Sequence, residues 1–144
     1  MTGLELLRAI VDGTIPQPPI SPTLGFRIVG AEPNIARFVG EPARSQYNPM
    51  GQVHGGWACT LLDSAMGSAV MTTCDAETGY TTTQLSIYLT GAIDAETGPV
   101  TAEGRVVHRG RRTVTAEARL TDERGRLLAH GTTSCLLMPR ATKG

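Results

Sequence analysis

Asn48-Pro49-Met50-Gly51-Gln52-Val53-His54-Gly55-Gly56 runs straight into Trp57-Ala58-Cys59-Thr60-Leu61-Leu62-Asp63, a polar, glycine-bearing loop that opens into an apolar helix holding one carboxylate. From Gly55 to about Thr73 the apolar positions Trp57, Ala58, Leu61, Leu62, Ala65, Met66, Ala69 and Val70 recur at helical spacing. The other side offers Cys59, Thr60, Asp63, Ser64, Gly67, Ser68 and Met71, with a single charge among them, so this helix belongs in an interior. Its start gathers unpaired N–H groups and the positive end of the helix dipole, which favour an anion or a developing oxyanion. A carboxylate and an oxyanion site on one element point to acyl transfer.

Downstream, four segments read as strands: Thr81 to Thr90, Val100 to Arg109, Thr113 to Thr121 and Arg126 to Leu137. Short glycine-containing connections between them predict antiparallel neighbours. Val114, Ala116, Ala118 and Leu120 alternate with Thr115, Glu117, Arg119 and Thr121, which predicts one buried and one solvated face. Upstream, Gly25 to Gly30 and Asn34 to Gly40 flank the turn signal Glu32-Pro33-Asn34 and read as a hairpin. Ile15-Pro16-Gln17-Pro18-Pro19-Ile20-Ser21-Pro22 reads as an extended surface connector in which proline excludes helix. Before it, Leu4, Leu6, Leu7, Ile10 and Val11 interleave with charges as a short amphipathic helix ended by Gly13. One helix against an antiparallel sheet is an α+β layout, and 144 residues suffice for one core. The expectation is a single domain over 1–144, with residues 1–22 forming the N-terminal helix and connector.

Thirteen basic and thirteen acidic residues cancel, which gives no global reason to expect nucleic acid or an anionic membrane as partner. The N-terminus lacks the apolar run of a signal peptide, and no apolar stretch is long enough to span a bilayer. Cys59, Cys74 and Cys135 form no Cys-x-x-Cys pair, which suits reduced thiols, and the expected compartment is the cytoplasm. No spacing of His, Cys and Asp suggests a metal site.

Among the candidate residues, His54 can position a loop or a substrate, and Gly55 and Gly56 let a ligand approach the backbone. The same residues also describe an ordinary helix start. Asp63 has no cation three or four residues away, so a surface ion pair does not explain it. A buried Asp bonded to Ser or Thr does, and so does a general base or nucleophile in a cleft. Gly55 and Asp63 stand about 12 Å apart along a helix, at ~1.5 Å per residue. If both act on one carbonyl, the carboxylate must come from a second subunit whose helix runs antiparallel beside the first. His108, Arg109, Arg111 and Arg112 cluster at a strand turn, compatible with phosphate or with a solvated hairpin tip. Trp57 near the helix start suits either an aryl or medium-chain pocket or plain core packing.

Asn48-Pro49-x-Gly51-x-Val53-His54-Gly55-Gly56 followed by Leu61-x-Asp63-x-Ala65-x-Gly67 resembles the hot-dog-fold acyl-CoA thioesterases of the phenylacetate-degradation, PaaI-like, type. The resemblance runs from the Pro-rich connector through Leu137 and takes in Gly79-Tyr80-Thr81-Thr82 and Arg105 to Arg112. It implies a long helix wrapped by an antiparallel sheet, with sites at a homodimer interface and often a dimer of dimers, a homotetramer. It implies Asp63 as catalytic acid, Gly55 N–H as the carbonyl-polarising donor, Asn48 as a group placing water or substrate, and His54 as part of the same motif. Some relatives carry a helix hydroxyl one turn after the acid; that place is Gly67 here, so Thr81 is expected to supply the hydroxyl. Gly56, Trp57, Thr82, His108, Arg109, Arg111 and Arg112 are the expected substrate contacts, the arginines on the CoA phosphates.

The function so implied is hydrolysis of an acyl-CoA to a free acid and CoA, with CoA entering as part of the substrate and no separate cofactor. The alternative is a non-catalytic acyl-CoA-binding or regulatory hot-dog module, which the absence of an accompanying helix-turn-helix segment disfavours. A hydratase of this fold would need a paired His and acid, and the sequence offers none.

Overall fold

The computed structural model describes residues 1–141; the last three residues of the expected 1–144 domain lie outside the described residues. In chain order the elements are α1 (Gly3–Val11), α2 (Ile20–Leu24), β1 (Phe26–Glu32), β2 (Ile35–Gly40), a 3-10 turn (Arg44–Gln46), α3 (Gly55–Met71), β3 (Thr78–Leu89), β4 (Val100–Arg109), β5 (Thr113–Thr121) and β6 (Leu127–Pro139). The six strands form one antiparallel sheet in the order β1-β2-β4-β5-β6-β3, and α3 lies across it. This is the α+β hot-dog layout.

The packing follows from α3. Leu61, Leu62, Ala65, Met66, Ala69 and Val70 are all 0% exposed, which requires apolar partners around most of the helix. The alternating faces of β4 and β5 supply them: Val100, Ala102, Val114, Ala116, Ala118 and Leu120 are buried. Each large side chain among these contributes about 1.5–3 kcal/mol by leaving water. Gly104 allows the closest approach, because a Cβ there would stand 2.2 Å from the Ala65 carbonyl oxygen. The sheet thus touches the helix backbone, not merely its side chains.

Two expectations are corrected. The Pro-rich connector contains the helix α2, because Pro22 falls in its first turn, where an N–H has no intrahelical acceptor and proline costs nothing. Gly25, at φ 73°, then ends α2 in the left-handed conformation and turns the chain into β1. Second, β3 and β4 are not neighbours. The segment between them crosses the sheet, so β4 pairs with β2 and β5 while β3 pairs only with β6 and leaves its other edge open. The N-terminal hairpin forms as the turn signal predicts, with Glu32 opposite Ile35 and Asn34 at φ 70°. Among the described residues no helix is long and apolar enough to cross a membrane.

Candidate active site

The loop before α3 is pinned by Asn48. Its side-chain oxygen accepts the Met50 N–H at 2.9 Å and the Gln52 N–H at 3.2 Å, while its own backbone N–H donates to the Gln52 carbonyl at 2.7 Å. Val53 N–H donates to the Ile93 carbonyl and His54 N–H to the Gln46 carbonyl, each at 2.8 Å, which fastens the loop on both sides. The Asn48 side-chain amide group therefore has its oxygen spent on the loop and its NH2 still available to donate.

His54 is the N-cap of α3. Its Nδ1 accepts the Gly56 N–H at 2.8 Å, and its carbonyl oxygen accepts the Trp57 N–H at 2.9 Å. Those two bonds select one amide: among the described residues nothing accepts the Gly55 N–H. Gly55 lies with Asn48, His54, Leu89, Gly91 and Ile93 on the wall of a cavity of about 310 Å³. A free amide at a helix N-terminus facing such a cavity is the arrangement that stabilises an oxyanion. Gly56 lies beside it, but its N–H is engaged.

Asp63 does not line that cavity. It sits half-buried two turns further along α3, where its Oδ1 accepts a hydrogen bond from the Thr82 hydroxyl at 3.1 Å. The hydroxyl partner is thus Thr82, not Thr81. A β-bulge between Thr82 and Gln84 explains the difference: counting back from Leu85, Ile87 and Leu89 by twos leads to Thr81, but the extra residue flips the phase. Thr82 consequently pairs with buried Cys135, while Thr81 pairs with Leu136 and is exposed. Sequence alternation alone carries no signal for that bulge.

Trp57 is also corrected. It is 4% exposed, its Nε1 donates to the Leu24 carbonyl at 2.6 Å, and its ring lies where a Cβ on Gly40 would be, so it is core and not a substrate contact. Burial pushes the Cys59, Cys74 and Cys135 thiols up, which keeps them protonated and unreactive. Burial together with the nearby Asp63 charge pushes the Tyr80 phenol up as well.

His108, Arg109, Arg111 and Arg112 lie exposed at the β4–β5 turn, and no carboxylate pairs with them among the described residues. Their position follows from the register. Val100 opens β4 opposite Gly40 and hence beside the start of α3, Gly104 lies on Ala65, and Val106 N–H donates to the carbonyl of Asn34, whose own N–H donates to the Thr72 hydroxyl at the end of the helix. Within one chain the arginines therefore stand at the opposite end of α3 from Gly55, a helix of 17 residues or about 25 Å. A larger concavity of about 530 Å³ lies beside α2 and β1, bounded by Gln17, Ser21, Phe26, Arg27 and Glu41. Its carboxylate, Glu41, is exposed 3.9 Å from Arg27, and its Gln17 amide is engaged with the Ile28 backbone, so size does not make it the site.

The thioesterase superfamily's sequence pattern matches residues 50–129, and the chain belongs to that family. No curated protein matches. Among solved structures, a variant of the phenylacetic acid degradation protein PaaI from Thermus thermophilus is 26% identical, with TM-score 0.75, over 83% of this chain and 98% of that one. PaaI from the E. coli phenylacetic acid degradation operon is 16% identical, with TM-score 0.81, over 94% of this chain and 95% of that one. The Streptococcus mutans protein smu.793, solved bound to acetyl CoA, is 24% identical, with TM-score 0.73, over 82% and 92%. The protein is a PaaI-like hot-dog thioesterase, a thioester hydrolase.

Proposed function

We propose that the protein hydrolyses acyl-CoA thioesters to a free acid and CoA in a site shared by two copies of the chain. The observation that carries this reading is the free Gly55 N–H on the cavity wall, with the helix carboxylate too far along the same helix to reach it. A second α3, antiparallel to the first, brings its Asp63 level with Gly55. The open edge of β3 supports pairing with a second copy, because it carries Leu85, Tyr88 and Leu89 exposed at 39%, 65% and 56%. A dimer of dimers repeats the same pair of sites.

In this reading Gly55 N–H of one subunit polarises the thioester carbonyl, and the Asn48 NH2 helps hold the water or the substrate. Asp63 of the other subunit, oriented by Thr82, takes a proton from water as its oxygen bonds to the carbonyl carbon. The tetrahedral intermediate then expels the thiolate, which receives that proton as the C–S bond breaks. Direct attack by Asp63, with water cleaving the resulting anhydride, uses the same groups and gives the same products. His54 acts through its cap on Gly56, which fixes the Gly55 amide in place. No cofactor is required beyond the CoA of the substrate.

Antiparallel helices also bring the partner's β4–β5 turn to the Gly55 end. With Asp63 aligned on Gly55, the far end of the second α3 extends about 12 Å past it, at ~1.5 Å per residue. That offset suits the arm between a thioester and the CoA phosphates, so Arg109, Arg111 and Arg112 serve the site to which their own chain gives Asp63. The acetyl CoA bound by the S. mutans relative supports the choice of thiol. Three cysteines without a disulfide, Cys59, Cys74 and Cys135, suit a reducing compartment such as the cytoplasm. The test is thiol release from a panel of acyl-CoAs by wild type and Asp63→Asn. Release by wild type, reduced about 100-fold or more in the variant, is expected; equal turnover removes Asp63 from the mechanism.

A further inference from the structure

We propose that the Tyr80 hydroxyl is a second hydrogen-bonding group on the attacking water, set one helical turn from Asp63 in the space that Gly67 leaves open. The proposal rests on the reading of Asp63 as the acid.

The bulge that turns Thr82 toward α3 turns Tyr80 the same way, since the two stand at positions i and i+2 of one strand. Thr82 occupies Asp63 Oδ1. Tyr80 reaches further along the helix: a Cβ on Gly67 would stand 2.5 Å from its hydroxyl oxygen and 3.0 Å from its ring atoms Cε2 and Cζ. Any side chain at position 67 therefore displaces the phenol. Gly67 follows Asp63 by four residues, so the phenol and the carboxylate share one face of α3, with their places on the helix about 6 Å apart along the axis at ~1.5 Å per residue. Both groups are side-chain tips that can lean toward each other from these positions, and one water lodged between them would bond to each at ~2.8 Å.

The phenol is otherwise unexplained. Its ring packs against the core, yet among the described residues its hydroxyl makes no hydrogen bond. The hydroxyl is not among the buried atoms left without a partner, so it reaches solvent and is open to a water. Burial and the Asp63 charge both hold the group protonated. In the proposed arrangement one water proton goes to Asp63 and the other is held by the Tyr80 oxygen, which leaves a lone pair to meet the carbonyl carbon. Tyr80 exchanges no proton in the step. It orients the nucleophile.

The experiment compares wild type, Tyr80→Phe, Gly67→Ala, the double variant and Asp63→Asn for kcat, KM and the ratio of hydroxamate to free acid formed when hydroxylamine competes with water. Tyr80→Phe removes one oxygen and should lower kcat about tenfold with KM unchanged. The hydroxamate share should rise severalfold, because water alone loses its guide; a purely structural role leaves that ratio unmoved. Gly67→Ala should reproduce both effects by pushing the phenol aside, and the double variant should be no worse than either single change. Should Tyr80→Phe not fold, Gly67→Ala carries the same readouts. Wild-type kcat and product ratio in these variants, with Asp63→Asn inactive, overturn the role of Tyr80 and leave Asp63 standing. Full turnover by Asp63→Asn overturns both.

Discussion

His54 Nδ1 accepts the Gly56 N–H at 2.8 Å, so the imidazole closes one amide at the start of α3 and leaves its neighbour, Gly55, open on the cavity wall. Capping of this kind is worth about 1 kcal/mol. His54→Ala should therefore lose about that much stability in urea unfolding, and kcat should fall as the Gly55 amide becomes less fixed. His54→Asn, whose side-chain oxygen is a strong N-cap acceptor, should recover most of the stability. A histidine that acts as an acid or base, not as a cap, would show the reverse, with stability unaffected in His54→Ala.

The oxyanion donor can be removed with little else changed. Gly55 is the first residue of α3, where proline is favoured, and His54 before it already has φ −58° and ψ 135°, which proline accepts. The only close neighbour of an added Cβ is Leu89 Cδ1, the end of an exposed side chain that can turn away. Gly55→Pro should fold normally by circular dichroism and lose about 100-fold in kcat. Wild-type turnover in a folded Gly55→Pro protein places the carbonyl donor elsewhere.

Much of this was readable in advance because period and punctuation are local. The apolar spacing from Trp57 to Val70 gives α3, and Val114 to Leu120 gives the buried face of β5, since each pattern needs only its own residues. Asn48 and His54 in the loop before α3, and Gly55 and Asp63 on it, become candidates by the same local reading. Which strands pair was not, because the partner of β3 depends on where the chain returns after the 90–99 crossing, and no residue there encodes it. The exchange of Thr82 for Thr81 hangs on one extra residue at Thr83, which a period-two count cannot see. Proline in α2 misled for a related reason: its cost depends on its position within the helix, which the sequence does not mark.

The contact between sheet and helix predicts a sharp stability effect away from the site. At Gly104 a Cβ meets Ala65 O at 2.2 Å, Ala65 C at 2.4 Å and Met66 N at 2.8 Å, all backbone atoms with no side-chain freedom to yield. Gly104→Ala must separate β4 from α3, and overpacking of this kind costs about 1–3 kcal/mol or more. Gly125→Ala is the contrast: nothing lies within 4 Å, and the strain comes from its φ of 81° alone. Urea midpoints should fall further for Gly104→Ala, and equal midpoints would mean that the helix and sheet give more readily than this packing allows.

Mixing two inactive chains tests the shared site. An Asp63→Asn chain and a Gly55→Pro chain, exchanged into mixed dimers, form one site with both groups intact and one with neither. Half the dimers in an equal random mixture are mixed, so activity should return to about a quarter of wild type. No recovery after demonstrated exchange counts against the shared site.

The arginines can be assigned to a subunit with the same mixture. Arg109→Gln, Arg111→Gln and Arg112→Gln together should raise KM for an acyl-CoA about tenfold at low salt, with a smaller penalty at high salt, because these side chains are exposed and their phosphate contacts are screened. A thioester of the same acyl group on a thiol lacking the nucleotide should barely notice. In the mixed dimer the one intact site takes Asp63 from the Gly55→Pro chain. If the arginines serve the site that holds their own Asp63, the triple change raises KM when it is placed on the Gly55→Pro chain and is silent on the Asp63→Asn chain. The opposite pattern would put the phosphates over the Gly55 subunit instead, and equal KM in both placements would leave the β4–β5 turn as solvated surface.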